Sequence, residues 1–196
     1  MIDAIKRFDE DLFLWLNGCH CATCDVVMWY VSKMWTWLPV YAWMVFVLLR
    51  RKSKLNAVVA LVCMACLLFL TDFVAVKMVK ETVMRLRPTH NPELQALVHM
   101  VKDEMGSYYR GGRYGFFSNH ASNFAGVALF FGLLAAPLER WIHVGLVAWV
   151  LLIGYSRIYL GVHYPIDVLA GFAYGCCAAL FMHWVYRKFE KREEVK

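Results

Sequence analysis

The sequence predicts an all-α fold, a polytopic membrane helix bundle of about five transmembrane helices plus an N-terminal interfacial amphipathic helix. Three observations predict it. The chain is 61% hydrophobic, above the roughly 45–50% apolar content of soluble domains. Its apolar residues gather into runs near the ~20 residues that a helix needs to cross a bilayer. Eight Trp and ten Tyr supply the aromatic residues that collect at membrane–water interfaces. No internal repeat or low-complexity linker divides the 196 residues, so one integral-membrane domain, 1–196, is expected. Its parts are an interfacial helix and loop at 1–25, a transmembrane bundle at 26–187 and a charged cytoplasmic tail at 188–196.

The N-terminal stretch alternates charge with Ile5, Phe8, Leu12, Phe13 and Trp15, the pattern of a helix lying in the interface. It is charged and lacks an uninterrupted apolar core, so it does not read as a cleavable signal peptide. The loop "GCHCATCD" holds Cys19, Cys21 and Cys24 beside His20. Those cysteines are open to three readings: a disulfide, a zinc site or no special role. The first span is expected within Val26–Leu49, with Lys33 snorkelling outward. The second runs from about Leu55 to Val76 and continues as a polar helix to Arg87, where Pro88 ends it. A long loop, Thr89 to Phe117, has too few consecutive apolar residues to cross. The third span is about Ala121–Ala136, followed by a tight "PLER" turn; the fourth is about Trp141–Tyr155 and the fifth about Pro165–Tyr186.

Counting spans puts the Arg50–Lys54 turn, the "PLER" turn and the tail on one side. Arg50, Arg51, Lys52, Lys54, Arg187, Lys188, Lys191 and Arg192 mark that side as cytoplasmic. The loop at 77–117 and the Ser156–His163 turn then face outward. A bacterial cytoplasmic (inner) membrane is the expected location, with a site facing the periplasm or exterior. The net charge of +6 suits contact with anionic headgroups.

Three polar clusters fall on that outer face. Lys80 and Arg87 in "KETVMRLRP" are seven residues apart, about two helical turns, and so project from one side if the helix continues. Ser118 and His120 in "FFSNHASN" start the third span, where free N–H groups favour an anion. In "SRIYLGVHYPIDVLAG", Arg157 precedes His163 and Asp167, which are four apart at the start of the fifth span. A carboxylate there can accept from one imidazole nitrogen and leave the other free. Fixed cations suit a phosphate, since guanidinium forks bind its oxygens in pairs. Two histidines beside a phosphate suggest a nucleophile and a general acid.

The clusters resemble the three-part signature of the type-2 phosphatidic acid phosphatase superfamily, which also includes the vanadium haloperoxidases. That signature is K-x6-RP, PSGH and SR-x5-H-x3-D. Lys80, Arg87 and Pro88 match the first part; Ser156, Arg157, His163 and Asp167 match the third. In the second, Ser118 and His120 match, while Phe117 stands for Pro and Asn119 for Gly. The resemblance spans about Asp72 to Cys177 and implies a membrane lipid phosphatase. It implies that His163 attacks phosphorus, Asp167 orients it and His120 protonates the leaving oxygen before activating water. Lys80, Arg87, Arg157, Ser118 and the Asn119 N–H would hold the phosphoryl oxygens, with no metal and no cofactor.

The expected partners are the bilayer and a phosphorylated membrane lipid. The sequence implies no nucleic acid and identifies no protein partner. Undecaprenyl diphosphate and lipid A phosphates are favoured, with glycerolipid phosphates a further option. Two alternatives are a vanadate-dependent haloperoxidase, which the long apolar spans oppose, and a non-catalytic protein that binds phospholipid. Asp72, eight residues before Lys80 and on about the same face, reads equally as a partner for a basic site residue and as half of a structural ion pair. Arg110 and Arg113 read equally as a second anion grip and as solvated loop. His90, His99, His143 and His183 are expected to do nothing catalytic, and Gly111-Gly112 reads as loop flexibility.

Overall fold

The computed structural model describes residues 2–135 and 139–191, and for residue 2 and residues 74–77 the backbone alone. Ala136, the first half of the expected "PLER" turn and the tail at 192–196 lie outside the described residues. Helix α1 spans Ile2–Gly18, α2 Ala22–Ser32 and α3 Leu38–Arg51, with a 3-10 turn at Met34–Trp37. Helix α4 spans Lys54–Val83, α5 Asn119–Leu134, α6 Arg140–Tyr159 and α7 Pro165–Phe189. Side chains close several helix starts: Cys21 Sγ accepts from Cys24 N, Ser53 Oγ from Asn56 N and Ser118 Oγ from Ala121 N.

Among the described residues, α4, α6 and α7 are long and apolar enough to cross a bilayer. The expected first span is not one straight helix. It breaks at Lys33, whose backbone is extended, and the segments Ala22–Ser32 and Met34–Arg51 meet at 74°. Helix α5 has 16 residues, about 24 Å at 1.5 Å per residue. It is the centre of the bundle: Ala121 through Ala128 are all buried, as are Phe130, Phe131 and Leu134. Tyr41 and Phe124 pack on Trp149 within the same core. Outward-facing side chains such as Val58, Val62, Phe69, Val147, Leu151, Leu169 and Leu180 are apolar, as a lipid-facing surface requires.

Helix α4 departs from expectation at its end. It turns π-helical over Leu70–Lys80 and stops at Val83, because Met84 takes a left-handed conformation, φ 48°. The chain then runs extended, Leu86 bridges Tyr114, and Arg87 adopts the extended backbone that Pro88 imposes on the residue before it. Lys80 and Arg87 therefore do not share a helical face. At the other boundary α6 outlasts the expected fourth span, so Ser156 and Arg157 sit on its last turn rather than in a loop.

The amphipathic stripe of α1 is split. Ile5, Phe8 and Trp15 are exposed, whereas Phe13 is buried edge-on against Tyr164, 5.4 Å between ring centroids. Two polar side chains of α1, Asp9 and Asn17, are also buried. Asn17 Nδ2 donates to Tyr159 O at 2.8 Å and its Oδ1 accepts from His99 N at 2.8 Å. These bonds tie α1 to the end of α6 and to the long loop.

Helices α5 and α7 pack backbone to backbone. Gly171 and Gly175 lie one turn apart on α7; a Cβ on Gly171 would sit 2.6 Å from Ser118 O, and one on Gly175 2.2 Å from Ser122 O. Small residues at this spacing let membrane helices approach closely, and here they fix the start of α5 against the start of α7. We expect Gly175→Val to cost about 1–3 kcal/mol by overpacking and to lower the thermal unfolding midpoint in detergent. Gly145→Ala, where a Cβ meets nothing within 4 Å, should leave the midpoint unchanged.

Candidate active site

Four chain segments converge at the end of the bundle away from the Arg50–Lys54 turn. They are the end of α4, the loop around Arg87 and Tyr109, the start of α5, and the stretch joining α6 to α7. Arg87, Ser118, Arg157, His163 and Asp167 are buried there; Lys80, Asn119 and His120 are partly exposed. The site is thus assembled from residues nearly ninety positions apart, brought together by the α5–α7 contact and the loop.

Each side chain is held in place. Arg87 donates through Nε to Tyr114 O at 3.1 Å and through Nη1 to Val162 O at 3.4 Å. Gly111, at φ 65°, lets the loop pass over this guanidinium; a Cβ there would lie 2.7 Å from Arg87 Nη1. The role of Gly111 is therefore close approach as well as turning. Arg157 donates through Nη1 to Ser32 Oγ and through Nη2 to Tyr109 Oη at 3.2 Å, while its buried Nε has no hydrogen-bond partner among the described residues. Ser118 N donates to Asp167 O at 2.9 Å, locking the α5 start to α7.

His163 Nδ1 faces Asp167 Oδ2 at 3.6 Å. This is longer than a hydrogen bond and corrects the expected direct bond. Asp167 Oδ2 instead accepts from Tyr164 N at 3.1 Å, the reciprocal cap of α7. Its Oδ1 accepts from Arg85 Nη1 at 2.8 Å.

Asn119 has a physical explanation. Its Nδ2 donates to Asp72 Oδ1 at 3.3 Å, and Asn123, one turn further on α5, donates to the same oxygen at 3.1 Å. Asp72 therefore binds two amides of α5 rather than a site cation. The pair of contacts fastens α4, which carries Lys80, to the helix that carries His120.

Electrostatically the site is crowded with positive charge. Burial first, then Arg157, pushes the Arg87 guanidinium down to about 10. His163, buried and facing Arg87, Arg157 and Lys80, is held well below the ordinary histidine value by burial first and those cations next. Its imidazole is neutral and carries a free lone pair at physiological pH. A cavity of about 120 Å³ lies between Trp29, Ser32, Lys33, Tyr109, His120 and Arg157, room for about four waters. A larger cavity of about 680 Å³ shares Trp29 with it and is lined by Asp25, Tyr30, Lys102, Glu104 and Tyr108.

The other polar residues have structural partners. Arg110 donates to Thr89 O at 2.6 Å and Gln95 Oε1 at 3.3 Å, and Arg113 lies over the Tyr114 ring. His99 pairs with Asp25 at 2.8 Å and stacks on His20. Cys19, Cys21 and Cys24 are free thiols, and among the described residues no group of three or more His, Cys, Asp or Glu side chains is placed to hold a metal. Sequence reasoning missed Ser32, Tyr109, Arg85 and Asp9. The first two touch the Arg157 guanidinium, and the last two lie behind Asp167.

Several cations and two histidines are thus gathered at one end of a membrane bundle. Residues 56–191 match the model of the PAP2 superfamily, and the chain belongs to that superfamily. It is 32% identical over 194 residues to the lipid A 4′-phosphatase of Bacteroides thetaiotaomicron, covering 98% of this chain and 83% of the relative. It is 29% identical over 173 residues to the undecaprenyl-diphosphatase of Sulfolobus acidocaldarius, covering 86% and 73%. Among solved structures, the PAP2-type phosphatidylglycerolphosphate phosphatase of Bacillus subtilis superposes with a TM-score of 0.69 at 20% identity, over 97% of this chain and 90% of the other. The chain is a multi-pass membrane protein and a lipid phosphatase, a hydrolase of phosphoric esters.

The charge environment of His163 sets a pH signature. A lowered pKa keeps the imidazole neutral until the pH falls well below 6.5. We expect the acid limb of kcat/KM, which reports the free enzyme, to lie below that value. In Arg87→Gln the limb should move upward, towards 6.5, as one of the cations that disfavour protonation is removed.

Proposed function

We propose that the chain removes a phosphate from a lipid A-type headgroup at the outer face of a bacterial inner membrane, with His163 as nucleophile. The observation that carries the mechanism is the burial of neutral His163 among Arg87, Arg157 and Lys80, with Asp167 behind its Nδ1. With Nδ1 turned to Asp167, Nε2 is the nitrogen left to attack a phosphoryl group held by the three cations. The negative charge of the bound phosphate offsets the cations, Arg157 first, that otherwise hold His120 unprotonated. The P–O bond to the lipid then breaks as the Nε2–P bond forms, and the protonated His120 gives its proton to the departing oxygen. His120 then takes a proton from water, which attacks the phosphohistidine and releases phosphate. Lys80, Arg87, Arg157, Ser118 Oγ and the Asn119 N–H bind the phosphoryl oxygens and offset the charge that develops on them.

Similarity to a lipid A 4′-phosphatase along almost the whole chain supports the substrate. The 680 Å³ cavity that shares Trp29 with the phosphate-sized one offers space for a bulky headgroup. The orientation rests on charge: Arg50, Arg51 and Lys54 lie at the end opposite the site. Lys52 pairs with Glu190, and Asn56 bonds Lys191, at that same end. The unit at 1–25 we read as interfacial, with Ile5, Phe8 and Trp15 towards lipid, and the tail beyond 187 as cytoplasmic.

Phosphate release by the purified protein, measured on lipid A phosphates, undecaprenyl diphosphate, phosphatidic acid and phosphatidylglycerol phosphate, tests the reading. Lipid A phosphate should give the highest kcat/KM. His163→Ala should lower kcat by ~10³-fold or more, and activity surviving that change would overturn the mechanism. Orientation is checked with Met105→Cys in a background whose native cysteines are replaced by serine. Met105 is 89% exposed on the long loop, so an impermeant thiol reagent added to intact spheroplasts should label it; labelling only in inverted vesicles would reverse the topology.

A further inference from the structure

A buried ion network lies behind the site. Asp9 of α1 has a fully buried side chain, although α1 otherwise presents exposed apolar residues outward. Its Oδ2 accepts from Arg85 Nη2 at 2.6 Å, and its Oδ1 accepts from Ile166 N at 2.9 Å, in the first turn of α7. Arg85 spans two carboxylates, since its Nη1 donates to Asp167 Oδ1 at 2.8 Å. The guanidinium also lies on the Tyr164 ring, 4.1 Å from its centroid. Tyr164 is fixed in turn by Phe13 of α1 and by Asn91, whose Nδ2 donates to its hydroxyl at 3.1 Å.

We infer that Asp9 and Arg85 are positioning residues that fix the Asp167 carboxylate so that Oδ2 faces His163 Nδ1. The geometry is specific. Arg85 occupies Oδ1, the Tyr164 N–H occupies one side of Oδ2, and the remaining side of Oδ2 points at the imidazole. A carboxylate held at both oxygens cannot rotate away, and a small movement of the ring closes the 3.6 Å gap to a hydrogen bond. Asp9 holds Arg85 from behind, so that the guanidinium does not swing towards the cationic pocket or leave Asp167 bare. Burying one cation between two carboxylates also stabilises both charges where an unpaired one is costly. Asp9 lies outside the segment 56–191 that matches the family model, so the N-terminal helix supplies part of the support for Asp167 from outside that segment.

The inference rests on His163 being the nucleophile. It is tested with Asp9→Asn, Asp9→Glu, Arg85→Ala and Arg85→Lys, each purified in detergent beside His163→Ala and Lys6→Ala. Kinetics are read at a temperature where thermal unfolding shows each variant folded. Asp9→Asn is nearly isosteric and keeps the acceptor for Ile166 N, so it isolates the lost charge. Asp9→Asn and Arg85→Ala should lower kcat about 10- to 100-fold, the loss typical when a partner that orients a reacting side chain is removed. KM should stay within about twofold, because the phosphate-binding cations are untouched. Formation of acid-quenched phosphohistidine in single turnover should slow by the same factor as kcat. Arg85→Lys and Asp9→Glu, which keep the charges, should recover part of the loss, and Lys6→Ala on the exposed face of α1 should match the parent. Unchanged kcat in folded Asp9→Asn, or a rise in KM that accounts for the whole loss, would overturn the inference. If His163→Ala were active, the nucleophile assignment itself would fail, an outcome separate from inert Asp9 variants beside inactive His163→Ala.

Discussion

The structure depends on keeping several positive charges together in a buried pocket. Arg87 and Arg157 are both nearly inaccessible, and Lys80 lies within electrostatic reach of each. Like charges at low dielectric repel strongly, so each cation must be restrained by dipoles or hydroxyls that do not neutralise it. Carbonyls of Tyr114 and Val162 hold Arg87, and the hydroxyls of Ser32 and Tyr109 hold Arg157. A carboxylate on either arginine would cancel the charge that attracts substrate. Instead the carboxylates are placed behind the histidine, where Arg85 pairs with Asp9 and Asp167. The pocket thereby keeps its positive charge.

The helix packing serves that arrangement. Gly171 and Gly175 bring α7 against the backbone of α5, so that the α5 N-terminus, with Ser118 as its cap, lies beside the α7 N-terminus, with Asp167 in its first turn. Ser118 N donating to Asp167 O joins the two ends directly. Both helices direct their positive dipole ends towards the same place. Asp72, bound to Asn119 and Asn123, sets α4 against α5. Where the family pattern has glycine at 119, this chain uses the side chain for a helix-to-helix contact while leaving the backbone N–H in the first turn.

Several features were legible in the sequence because they are local or periodic. Long apolar runs marked α4, α6 and α7, and the spacing of Ser156, Arg157, His163 and Asp167 marked one polar cluster. The errors arose where local conformation overrides hydropathy. Lys33 sits in an apolar run, yet its extended backbone bends the chain by 74°. The left-handed turn at Met84 ends α4 early, so Lys80 and Arg87 meet across a loop rather than along a helix. Hydropathy does not distinguish a helix that continues from one that ends within a polar segment.

The sequence by itself determined the membrane helices, the residue types that suit phosphate, and the family to which their spacing points. Those are properties of composition and short-range spacing, which survive without coordinates. Only the tertiary structure decided which residues support them. Asp9, Ser32, Arg85 and Tyr109 are isolated polar residues on separate elements, and no periodicity connects them. Their partners lie as many as 125 and 157 positions away in sequence, so their roles appear only when burial removes water and leaves each charge or hydroxyl with the one neighbour the packing provides.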